Sequence, residues 1–98
     1  MNKRTNEYEV IFSQIKDNKG EEVNKEPIRF PFQNHDDVYK ILDILLEKKL
    51  FEEENQTAQF AIGLKLLGDV IMKNKDKELF SEIQPAFVAF MKKLKGKG

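Results

Sequence analysis

The sequence predicts an α+β fold: an antiparallel β-hairpin followed by three α-helices packed on it, the last kinked or split at Pro85. Apolar residues alternate at every second position near the N-terminus, then recur at every third and fourth position from Val38 onward. Alternation marks a strand with one face turned to a core, and the three-four repeat marks a helix with one buried stripe. Two strands followed only by helices give the order β-β-α-α-α, an α+β layering.

The first strand is expected at about 7–15. Tyr8, Val10 and Phe12 alternate with Glu9, Ile11 and Ser13, and aromatic and β-branched residues suit a pleated surface. The second strand, about 28–33, alternates Ile28, Phe30 and Phe32 with Arg29, Pro31 and Gln33. Pro31 has no N–H to give a ladder, so this strand belongs at an edge or points that position outward. Asp17-Asn18-Lys19-Gly20 between them is a turn signal, because Asn and Gly tolerate positive φ.

A first helix is expected at about 35–49. Asn34 is placed to cap it, with Asp36 and Asp37 in its first turn, where the dipole favours negative charge. Val38, Ile41, Leu42 and Leu45 form its buried stripe, and Ile44 and Leu46 widen it. A second helix, about 53–73, carries Phe60, Leu64, Leu67 and Ile71 on one stripe and stops at Asn74. Phe80, Ile83, Phe87, Phe90 and Leu94 continue one face through the last segment. Pro85 divides it into helices at about 77–84 and 85–95, with proline at a tolerated first position. The tail from Lys95 should fray.

The 98 residues support a single domain, 1–98. An apolar share of 40% is too high for a disordered chain. With no cysteine, disulfides and thiolate-bound zinc are excluded. The basic start lacks an apolar run behind it, and no run approaches the roughly 20 residues that span a bilayer. These features point to a cytoplasmic protein with no membrane partner. Charge is balanced overall but uneven: Asn34–Gln56 holds three lysines against seven carboxylates, and Thr57–Gly98 eight lysines against four. Such polarity can draw copies of the chain together or attract a charged partner. Exposed pairs on neighbouring helix faces would account for it more simply.

Three strings then carry a resemblance: Phe32 to Leu42 (FQNHDDVYKIL), Ala61 to Met72 (AIGLKLLGDVIM), and Leu79-Phe80 with Pro85-Ala86-Phe87 and Phe90 to Lys95. In this order the chain resembles the bacterial domain-of-unknown-function family 3861 over nearly its whole length. The resemblance implies a short stand-alone bacterial protein. It brings no activity, cofactor or catalytic residue with it.

His35, the one histidine, stands beside Asn34, Asp36 and Asp37, a group that could hold a metal or small ligand or act as a base. Adjacent helical residues do not converge on a point, so capping is the simpler role. Gly63 and Gly68 each cost a helix about 1 kcal/mol relative to alanine. Close approach of another element would offset that cost; contact with a ligand or partner backbone is the sharper alternative. Lys92, Lys93, Lys95 and Lys97, with Lys73, Lys75 and Lys77, could bind nucleic acid or another polyanion. The stacking aromatics such binding favours lie on the buried stripe, and arginine occurs only twice. No catalytic residue, metal ligand set or cofactor site is expected. The reading is a non-enzymatic protein-interaction or self-associating domain, with a homodimer or another protein as partner.

Overall fold

The computed structural model describes residues 4–96. Its elements are strands β1 (Asn6–Phe12) and β2 (Ile28–Asn34) and helices α1 (Val38–Lys48), α2 (Glu54–Lys73) and α3 (Ile83–Lys95). A short 3-10 turn, Glu78–Phe80, precedes α3. The predicted α+β order is present. The chain divides into two compact units, one ending at Asp37 and one starting at Val38.

In the first unit β1 and β2 pair antiparallel, with Tyr8 opposite Phe32, Val10 opposite Phe30 and Phe12 opposite Ile28. Those six side chains share one face, where the rings of Tyr8 and Phe32 stack at 6.0 Å. Phe32 is the buried member, while Phe12 remains 68% exposed. Glu9, Ile11, Arg29 and Pro31 occupy the other face. Pro31 stands opposite Glu9, which suits a pair whose amide groups point away from the partner strand. β1 ends at Phe12, short of the expected 15. Beyond it the chain narrows to an isolated Lys16–Glu22 bridge. The turn falls where the sequence placed it. Asp17 Oδ1 accepts the amides of Lys19 and Glu21 at 2.9 Å, and Gly20 adopts φ 85°.

The helical unit is held mainly by α1 against α2. Leu45 of α1 and Thr57, Ala61, Gly68 and Ile71 of α2 are buried. Thr57, Ala61, Leu64, Gly68 and Ile71 form a three-four seam down α2, with Leu64 half-buried. Leu67 lies off this seam, contrary to its expected place on the buried stripe. Ile44 of α1 is likewise 54% exposed and widens no buried face. α1 ends on Lys49, whose φ of 53° is left-handed and terminates the helix.

Two helix starts differ from expectation, while α2 ends at Lys73 as expected. α1 begins at Val38 rather than 35, because Asn34 still belongs to β2 and pairs with Asn6. Asn74 ends α2 without a left-handed turn; its side chain donates back to the Val70 carbonyl at 2.8 Å. The expected helix at 77–84 is only the 3-10 turn Glu78–Phe80, and α3 starts at Ile83, so Pro85 sits within its first turn. An amide there lacks an intrahelical partner anyway, so the ring interrupts nothing. Lys95 remains helical, and the Gly96 amide bonds to Lys92 O at 2.9 Å. The rest of the expected frayed tail, Lys97 and Gly98, lies outside the described residues.

Candidate functional site

The Asn34–Asp37 group forms a structural bend at the end of the hairpin. Asn34 Oδ1 accepts the Asp36 amide at 2.9 Å, closing a local turn rather than capping a helix. Asn6 Nδ2 donates to the carbonyls of His35 and Asp36 at 3.2 and 3.1 Å. The Tyr8 hydroxyl donates to the Asp36 carbonyl at 3.0 Å. What β1 reads here is backbone, so these bonds fix the path of the chain and leave the chemistry of the side chains aside. His35 and Asp36 are exposed. Among the described residues no three of His, Cys, Asp and Glu gather as metal ligands. No helix among them is long and apolar enough to cross a membrane.

The two glycines separate. A Cβ on Gly68 would lie 2.9 and 3.0 Å from the Cζ and Cε2 of Phe87, so α3 approaches α2 closely there. This is the packing role expected of a helical glycine. A Cβ on Gly63 would meet nothing within 4 Å. Packing inside its own unit therefore gives no reason for glycine at 63.

Lys92, Lys93 and Lys95 lie in the last turn of α3, where positive charge complements the helix dipole. Lys73 closes α2, and Lys75 and Lys77 lie in the turn that follows. These lysines precede α3, whereas the other set closes its far end. The aromatics nearby are engaged: Phe87 lies over Gly68, and Phe90 meets Phe60 edge to face at 6.2 Å.

Of the predicted site residues, Gly63 alone belongs to the surface that stands out. Phe51, Gln56, Gln59, Phe60, Gly63, Leu64 and Leu67 line a depression of about 430 Å³ on the helical unit. Phe51 and Phe60 form one wall, edge to face at 5.3 Å. Leu67 and Val70 beside it are 45% and 46% exposed. Along α2 the residues Gln56, Phe60, Gly63, Leu67, Val70 and Asn74 repeat at four, three, four, three and four. α2 therefore carries two seams: an inner one covered by its own unit and an outer one centred on Gly63. The sequence interleaves the two repeats, and the expected stripe through Phe60, Leu64, Leu67 and Ile71 takes residues from both.

A family model for a domain of unknown function with a solved structure, DUF3861, matches residues 6–96. The chain belongs to the DUF3861 family. One similar solved structure is a protein of unknown function from Pectobacterium atrosepticum. It is 31% identical, covers 96% of this chain and 100% of its own, and has a TM-score of 0.79. Among curated proteins nothing matches this DUF3861 chain. The family resemblance seen in the three strings is thus established, and the family carries no assigned function.

Proposed function

We propose that the chain is a protein-interaction domain that works by presenting the outer face of α2 to another polypeptide, without chemistry of its own. One observation carries this reading: outside its covered seam α2 leaves Leu67 and Val70 nearly half exposed, with Leu67 lining an open apolar depression. Phe51, Phe60, Leu64 and Leu67 supply the apolar lining of that depression. Contiguous apolar surface of this kind marks contact sites, and aromatic walls around a pocket are what an anchoring side chain requires.

The test is site-specific photocrosslinking in the expressing cell, with the photoreactive residue at position 67 and a control at the exposed position 47. The expected result is a discrete covalent adduct to a polypeptide from position 67 and none from 47. Adducts of equal, diffuse intensity at both positions, or none at either, would overturn the reading.

A further inference from the structure

We infer that the polypeptide covering the outer seam is a second copy of this chain, its α2 antiparallel to the first and crossing it at Gly63. This names the partner of the surface proposed above and rests on that reading.

Gly63 is the tenth of the 20 residues of α2. An antiparallel pair of identical helices related by a two-fold axis must cross at one point of the sequence in both copies. A glycine at the midpoint of the helix, with open space above its Cα, lets two backbones meet closely there. That close approach supplies the reason for glycine that its own unit does not.

The side chains on either side match under the same symmetry. Leu67 lies four residues after the crossing. Gln59 and Phe60, which line the depression, lie four and three residues before it. In the antiparallel pair each Leu67 therefore descends toward the other copy's Phe60 wall. The outer repeat of four and three is the spacing that interlocks helices at a shallow crossing of about 20°.

Charge then selects the direction. Glu52, Glu53 and Glu54 lie at the start of α2, and Lys73, Lys75 and Lys77 at and just beyond its end. Lys73 Nζ lies 3.1 Å from Asp69 in its own helix, with its side chain 70% exposed and still open to a second acid. Antiparallel copies set the three acids beside the stretch 73–78, where three lysines outnumber Asp76 and Glu78, at both ends. Parallel copies would set acid against acid and lysine against lysine, which opposes association. The helix dipoles favour the same choice. With a formal net charge of zero, whole-chain repulsion does not resist pairing.

The chain has no cysteine, so a single introduced thiol reports position directly. Gly63→Cys should form an interchain disulfide under mild oxidation, and Glu47→Cys should not. Light scattering of the unmodified protein should give twice the 11.5 kDa chain mass. Gly63→Leu should return it to one chain mass with unchanged helical circular dichroism. Glu53→Lys should weaken association about tenfold at low salt, and Glu53→Lys with Lys73→Glu should restore it. A single-chain mass for the unmodified protein at every concentration overturns the inference. A double mass that survives Gly63→Leu, with no disulfide from Gly63→Cys, places the interface elsewhere and overturns it too. If position 67 crosslinks to a different protein while the chain stays monomeric, this inference fails and the interaction reading stands. If it crosslinks to nothing, both fail.

Discussion

Gly63 and Gly68 sit five residues apart in one helix under opposite constraints. Each gives up about 1 kcal/mol of helix propensity relative to alanine. At Gly63 nothing lies within 4 Å of an added Cβ, so Gly63→Ala should raise the unfolding free energy of the dilute, unpaired chain by about 0.5–1 kcal/mol. At Gly68 the same methyl meets the far edge of the Phe87 ring. The ring must shift, at a cost of about 1–3 kcal/mol. Gly68→Ala should therefore range from neutral to a loss of about 2 kcal/mol. Urea denaturation of the two variants decides this. Combining Gly68→Ala with Phe87→Leu should cost less than the two single changes added together, because the residues touch. Both glycines stand out in the sequence as misplaced helix formers. Which of them packs inside the chain is set by the position of Phe87, more than a helical turn of sequence away and on another element. No local pattern contains that information.

At the scale of elements, the strands and helices follow from periodicity, while their ends are decided by partners. Asn34 has the right chemistry for a helix cap, and it caps a turn because its backbone is engaged with Asn6 across the hairpin. Asn6 and Tyr8 then hold the 35–36 carbonyls from β1, some 28 to 30 residues away in sequence. Pairing at that separation is invisible to a window of a dozen residues. Pro85 shows the converse. Its ring is incompatible with a helix interior, and the helix starts two residues earlier so that the proline falls in the first turn. Pro85→Ala should change stability by less than about 1 kcal/mol, since no hydrogen bond is restored and the main effect is a looser unfolded chain. A proline serving as an interior break would give about 3 kcal/mol on replacement. Thermal or urea unfolding of the variant distinguishes the two. The paired seams of α2 were legible as spacing, but only the structure separates the covered seam from the open one.

For the whole molecule, the inferred pairing ties stability to concentration. A partner that binds the folded chain and not the unfolded one adds stability that grows with the logarithm of its concentration. The melting temperature should therefore rise when the protein is concentrated, and Gly63→Leu should flatten that dependence. Calorimetry over a wide concentration series measures it. Added salt should weaken the end-to-end attraction between acids and lysines, because charges beyond about 10 Å are screened at 0.1 M. The apolar centre around Leu67 should be spared. The acidic middle and basic end of the chain were plain in the sequence as a charge pattern. That Glu52, Glu53 and Glu54 fall at one end of a helix and Lys73, Lys75 and Lys77 at the other follows only from where α2 starts and stops.

Pro31 lies at the middle of β2, with Arg29 and Gln33 two residues to either side. In an antiparallel ladder these alternate positions turn their amides to the rim away from β1. That rim offers donors at 29 and 33 and none between them. A strand arriving from another molecule would find a template broken at its centre. Fibrous growth copies an uninterrupted row of amides from one molecule to the next, and along this rim the row is cut. A short hairpin with several exposed apolar side chains can thus be carried at cellular concentrations with one route to runaway sheet growth closed by a single ring.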